Sequence, residues 1–126
     1  MVNINSVFIV EDNRNWMGIF EELFSSKFSC RIVGKDNLYD AVEAIKIESF
    51  DLYVTDGDYP LNHGAIVEKG ACFKFYEELI KINHQARVVI ITGRTENKTK
   101  AEELGIISYY KGRLDINDLA ERLEDI

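Results

Sequence analysis

Four short apolar runs in this chain each end on a polar or charged residue, and that pattern limits the folds open to it. Val7-Phe8-Ile9-Val10 ends on Glu11-Asp12, and Leu52-Tyr53-Val54-Thr55 ends on Asp56. Val88-Val89-Ile90-Ile91 ends on Thr92-Gly93, and Ile106-Ile107-Ser108-Tyr109-Tyr110 ends on Lys111. Continuous apolar runs of this length, separated by stretches of helical periodicity, read as parallel strands buried on both faces. Open parallel sheets bind ligands at the carboxyl ends of their strands, near the point where strand order reverses. Three carboxylates, a hydroxyl and an ammonium are thereby directed to one rim.

The elements follow from periodicity and caps. Strand 1 is expected at Ser6–Val10. Helix 1 follows over Arg14–Lys27, with Trp16, Ile19, Phe20, Leu23 and Phe24 inward. Strand 2 is expected at Cys30–Gly34. Asp36 or Asn37 caps helix 2, whose apolar positions are Leu38, Ala41, Val42, Ile45 and Ile47. Strand 3 spans Asp51–Thr55. An irregular stretch from Asp56 to Lys69 contains Pro60, the chain's single proline, and Gly57 and Gly64, with Gly70 just beyond. Helix 3 is expected at Ala71–Ile82 and strand 4 at Arg87–Thr92. Thr95 caps a short helix 4 that stops at Gly105. Strand 5 is Ile106–Tyr110. Asp115 caps the last helix, with Ile116, Leu119, Leu123 and Ile126 inward. The expectation is an α/β fold, a doubly wound five-stranded parallel sheet in the order 2-1-3-4-5, because βα crossovers are right-handed.

At 126 residues the chain suits one domain, 1–126, large enough to bury a core without disulfide or metal. Its two cysteines, Cys30 and Cys72, have no metal spacing and read as reduced, buried thiols of a cytoplasmic protein. The net charge of −7 disfavours direct contact with nucleic acid or an anionic membrane. No signal peptide precedes Val7, and no apolar run approaches the ~20 residues of a membrane span. His63 and His84 read as surface residues.

In the order 2-1-3-4-5, strands 1 and 3 are neighbours, so Glu11, Asp12 and Asp56 fall close together. Two carboxylates 4 Å apart repel by about 4 kcal/mol at an effective dielectric of 20. Three need a counter-charge, and Mg²⁺ suits carboxylates, a carbonyl, waters and a phosphate oxygen. Lys111 offers a second positive charge and Thr92 a hydroxyl donor. A carboxylate between a divalent cation and an ammonium is equipped to attack a phosphoryl group, and the same groups stabilise the charge on its oxygens.

These motifs resemble those of the response-regulator receiver domains of two-component signalling (CheY-like), over the whole chain. Val10-Glu11-Asp12-Asn13 resembles the acidic pair after strand 1. Asp56-Gly57-Asp58-Tyr59-Pro60 resembles the phosphoacceptor followed four residues later by proline. Thr92-Gly93 and Lys111 resemble the Thr/Ser and lysine of the later strands. The resemblance implies that Asp56 takes a phosphoryl group from the histidine of a histidine kinase or phosphotransfer protein. It implies Mg²⁺ held by Glu11, Asp12, Asp56 and the backbone carbonyl of Asp58. Asp58 and Arg94, each two residues past a core motif, are placed to modulate phosphoryl lifetime. No output segment follows Ile126, so the expectation is a single-domain regulator or a domain cut from a larger protein, with an unnamed downstream partner.

The departures from that pattern are specific. Gly57 stands where the family has an aliphatic residue, and Gly112 where it has proline. The loop after Pro60 is about six residues longer, and both Gly64 and Gly70 fit its glycine. The family's switch aromatic precedes the lysine by three, which here is Ser108; Tyr109 and Tyr110 follow it. Two other functions compete. One is a receiver-like docking module that is never phosphorylated. The other is a haloacid-dehalogenase-type phosphatase, with Asp56 and Asp58 as nucleophile and general acid before Thr92-Gly93-Arg94. Motif order opposes the phosphatase, since its metal-binding acidic pair follows the Thr and Lys motifs.

Overall fold

A computed structural model describes residues 3–124, so the inward position expected for Ile126 lies outside the described residues. In chain order the elements are β1 (Ser6–Val10), α1 (Arg14–Phe28), β2 (Arg31–Lys35), α2 (Leu38–Ile47), β3 (Leu52–Asp56) and β4 (Tyr59–Pro60). Then come β5 (Val67–Glu68), α3 (Ala71–Ile82), β6 (Val88–Thr92), α4 (Thr95–Glu103), β7 (Ile107–Tyr110) and α5 (Ile116–Glu124). Five strands form one parallel sheet in the order β2-β1-β3-β6-β7, which is the expected doubly wound order once the two-residue strands are set aside.

Strand alternation divides the core into two layers. Phe8, Val10, Tyr53, Val88 and Ile90 face α2, α3 and α4, where they meet Ala41, Ile45, Phe75, Leu79 and Ala101. Val7, Ile9, Leu52, Val54, Val89, Ile91 and Tyr109 face α1 and α5, against Phe20, Phe24, Leu119 and Leu123. Helices on both faces explain why these strands read as unbroken apolar runs.

Several expectations are corrected. Ile19 and Ile47 are 51% and 87% exposed, although their spacing fits an inward stripe. Cys72 is buried, but Cys30 is only half-buried. Asn37 caps α2, its side chain accepting from the Asp40 N–H. Thr95 is the first helical residue of α4 and not its cap. The preceding Arg94 is extended, and its N–H is already taken by Thr92 Oγ1. Gly105 ends α4 as expected, at φ +75° and with the Ile106 N–H reaching the Ala101 carbonyl, a left-handed cap. The stretch expected to be irregular contains an antiparallel pair, Tyr59–Glu68 and Pro60–Val67. Two-residue strands carry no periodicity from which to read them.

Candidate functional site

The parallel sheet carries its polar strand ends to one edge. Asp56 is the last residue of β3, and Glu11 follows β1 directly. The Glu11 N–H is fixed by the Lys35 carbonyl at the end of β2. Asp56 pairs in register with Ile91, one residue before Thr92. The Lys111 N–H bonds the Thr92 carbonyl, which carries the lysine over the same edge.

Glu11, Asp12 and Asp56 each offer a carboxylate oxygen, and these oxygens lie within 4.8 Å of one another. Glu11 and Asp56 are buried and Asp12 is half-buried. Lys111 Nζ stands 2.8 Å from Glu11 Oε1 and 3.1 Å from Asp56 Oδ2. Asp56 Oδ1 accepts the Gly57 N–H at 2.7 Å. Burial and the charge of Asp56 push the Glu11 carboxyl up to about 8, against the pull of Lys111. Burial also raises the Asp56 carboxyl, again opposed by Lys111. Burial draws the ammonium of Lys111 down, but its bond to Glu11 and the charge of Asp56 overcome this and hold it above the ordinary lysine value. One cation thus serves two buried carboxyl groups, with a third acid beside them.

Trp16 places its indole face 5.4 Å from Lys111 Nζ, and its ring edge borders the space over Gly112, which has φ +83°. A cation over an aromatic face is attracted to it, so the indole supports the lysine.

A second cluster surrounds Thr92. A Cβ on Gly57 would fall well inside van der Waals contact of Thr92 Oγ1 and Asn97 Nδ2, and 3.0 Å from Thr92 Cβ. A side chain at this position therefore has no room while Thr92 and Asn97 stand as they do. Asn97 Nδ2 donates to Thr92 Oγ1 at 3.1 Å and to Asp58 Oδ1 at 3.0 Å. Asp58 Oδ1 also accepts the Gly70 N–H at 2.7 Å, and Arg94 Nε lies 2.7 Å from Asp58 Oδ2. Burial opposes the charge on Asp58, but the Gly70 N–H, Asn97 and Arg94 outweigh it and keep this carboxyl below the ordinary aspartate value. Substitution Gly57→Ala should lower stability by about 2 kcal/mol, the cost of overpacking a filled interior. Denaturant unfolding checks this, and a change below about 0.5 kcal/mol would show that Thr92 and Asn97 yield easily.

The residues read from the sequence separate into two groups. Glu11, Asp12, Asp56 and Lys111 come together. Asp58 and Arg94 pair with each other and reach Thr92 through Asn97. β7 runs regularly, with Ser108 opposite Ile90, Tyr109 opposite Ile91 and Tyr110 opposite Thr92. Ser108 thus shares the face of Thr92, buried and with its hydroxyl unpartnered. Tyr109 points to the other face, and its hydroxyl donates to Asp118 Oδ2 at 2.6 Å. Tyr110 lies on the Thr92 face, its hydroxyl 3.4 Å from Thr95 Oγ1.

Sequence reasoning missed Asn97. A signal was present: α4 reads TENKTKAEE, with Ala101 as its one apolar residue. A helix without an apolar stripe that still packs on a sheet must bury a polar side chain, and Asn97 lies one turn before Ala101.

No protein-family model matches the sequence. The fold, by contrast, matches many solved structures. A response regulator receiver domain protein from Clostridium thermocellum has a TM-score of 0.75 at 16% identity, with 97% of this chain and 93% of that one covered. The response regulator protein TrrA from Thermotoga maritima, solved in complex with Mg²⁺ and BeF, has a TM-score of 0.74 at 16% identity, covering 97% and 98%. A CheY-like receiver domain from Methylobacillus flagellatus has a TM-score of 0.74 at 19% identity, covering 97% and 98%. Among the described residues no helix is long and apolar enough to cross a membrane. Five helices about a parallel sheet in this order give the chain the flavodoxin/CheY-like fold of response-regulator receiver domains.

Proposed function

We propose that the chain is a phosphoacceptor signalling domain, phosphorylated on Asp56, whose phosphorylated form changes its affinity for a protein partner. One observation carries this: a buried aspartate at the end of the central strand, bound by a lysine and flanked by two further acids. An Asp56 oxygen attacks the phosphorus of a phosphohistidine on a histidine kinase or phosphotransfer protein. A P–O bond forms, the P–N bond breaks, and the imidazole leaves. Lys111 neutralises charge on the transferred group, and the Thr92 hydroxyl donates to one of its oxygens. Water later attacks the same phosphorus and releases phosphate. Asp58 and Arg94 set the lifetime of the acyl phosphate by holding the edge of the site. The reading places the domain in the cytoplasm with protein partners, in keeping with a net charge of −7.

The donor set fits Mg²⁺. Three carboxylates provide hard oxygen ligands, and among the described residues a single lysine is the one cation beside the two buried ones. Glu11, Asp12, Asp56 and the Asp58 carbonyl would hold the ion, which supplies charge neutralisation at the phosphoryl oxygens. At a tenfold excess over its Kd, Mg²⁺ should add about 1.4 kcal/mol to stability. Denaturant unfolding with and without Mg²⁺ measures this, and Asp12→Ala should lose most of it.

The phosphatase reading meets an obstacle in Asp58. A general acid needs a proton to give, and this carboxyl is lowered and engaged by Gly70, Asn97 and Arg94. The decisive experiment is incubation with acetyl phosphate and Mg²⁺, followed by intact-mass measurement and mapping of the modified residue. A Mg²⁺-dependent acyl phosphate on Asp56 supports the proposal. No mass gain under conditions that bind Mg²⁺ would leave a docking module.

A further inference from the structure

Asn97 belongs to no motif read from the sequence, yet the residue is 2% exposed near the start of a helix with little else to bury. A hydroxyl offers two lone pairs and one O–H. On Thr92 both lone pairs are engaged, by the Arg94 N–H at 3.1 Å and by Asn97 Nδ2 at 3.1 Å. The O–H is what remains, and the bonds its oxygen accepts polarise it as a donor. A phosphoryl oxygen can only accept. Asn97 therefore prepares Thr92 for the role that the phosphoacceptor reading gives it. The same amide nitrogen spends its other hydrogen on Asp58 Oδ1, the atom that receives the Gly70 N–H. Gly57 makes this approach possible, since any side chain there would occupy the space of Thr92 Oγ1 and Asn97 Nδ2.

Resting on that reading of Asp56, we propose that Asn97 is a positioning residue: it holds Thr92 Oγ1 as a donor to the phosphoryl group and, through its second bond to Asp58, couples any movement of Thr92 toward that group to α4 and the Asp58–Gly70 loop. The residues of β7 leave this role open. Ser108 is too small to follow Thr92, and Tyr109 is tied to Asp118 on the opposite face. Tyr110 is engaged with α4 by Thr95 and Lys98.

The test uses the full chain with beryllofluoride and Mg²⁺ as the phosphoryl mimic. Affinity is read from the single tryptophan, Trp16, which stands over Lys111, and local response from amide resonances. In the wild type, the backbone amides of Asp56 and Gly57 should shift together with the Asn97 side-chain amide, Gly70 and Lys98. Asn97→Leu should keep the response at Asp56 and Gly57. It should lose the response at Gly70 and Lys98, and weaken beryllofluoride binding about fivefold, the ratio expected for one hydrogen bond. In a Thr92→Ala background the same substitution should weaken binding less than about twofold, because the hydroxyl it serves is gone. Asn97→Ala, which adds no bulk, repeats the measurement if the leucine variant does not fold. Equal weakening with and without Thr92 would make Asn97 merely structural and overturn the proposal. So would a Gly70 and Lys98 response that survives in Asn97→Leu but disappears in Tyr110→Ala. Silence at Asp56 and Gly57 in the wild type would overturn the phosphoacceptor reading as well, which separates the two failures.

Discussion

Asp56→Asn is expected to abolish labelling by acetyl phosphate while leaving the fold as stable as the wild type, within about 1 kcal/mol, or more stable. The amide nitrogen has no nucleophilic electron pair comparable to that of a carboxylate oxygen, so loss of labelling should be complete. Stability should survive because the amide keeps most of the local bonding. Its carbonyl can take over the Gly57 N–H, which Asp56 Oδ1 accepts at 2.7 Å. The bond from Lys111 to Asp56 Oδ2 is lost as an ion pair, but Lys111 retains Glu11 at 2.8 Å. Against that loss stands the removal of a buried negative charge beside Glu11. Burial already disfavours the charge on Asp56, so its removal offsets much of the lost ion pair. Intact-mass measurement and denaturant unfolding together decide the matter. Wild-type labelling in the mutant would place the acceptor elsewhere. Lost labelling with a large loss of stability would make Asp56 a structural residue.

How far the sequence reveals this site depends on the kind of interaction. The strand ends were legible because burial on both faces forces continuous apolar runs, and a parallel sheet delivers every following residue to one edge. Glu11, Asp56, Thr92 and Lys111 are all placed by that rule. The alternation of Tyr109 and Tyr110 was legible for the same reason, and β7 runs without a bulge. Side-chain hydrogen bonds between distant segments were not legible. Thr95 has the composition of a cap, but the first helical bond runs from the Lys98 N–H to the Arg94 carbonyl, and the polar contact that seats this helix end joins Asn97 to Asp58 in another segment. The space denied to a residue at 57 depends on Asn97, forty positions later, and no local pattern links them. Ile19 and Ile47 fit a helical stripe by number but are left exposed, Ile47 as the last residue of α2.

Lys111→Ala should be the most destabilising single change in the site, costing about 3 kcal/mol in the absence of Mg²⁺. The lysine side chain is 17% exposed, and its ammonium serves both Glu11 and Asp56. Removing one partner of a buried ion pair costs about 3–5 kcal/mol, because an uncompensated charge remains in a medium that solvates it poorly. The lower end of that range applies here, since water reaches the site past Asp12 and Glu11 can escape by protonation, its carboxyl already standing near 8. Three further measurements separate lost charge from lost packing against Trp16. Mg²⁺ should stabilise the variant more than it stabilises the wild type, because the ion then supplies the missing counter-charge. Asp56→Asn combined with Lys111→Ala should cost less than Lys111→Ala alone, because one of the two stranded acids is gone, and such coupling is the sign of direct contact. Lys111→Met keeps an apolar stem against the indole. If it restores full stability without Mg²⁺, packing on Trp16 and not charge is what the lysine contributes.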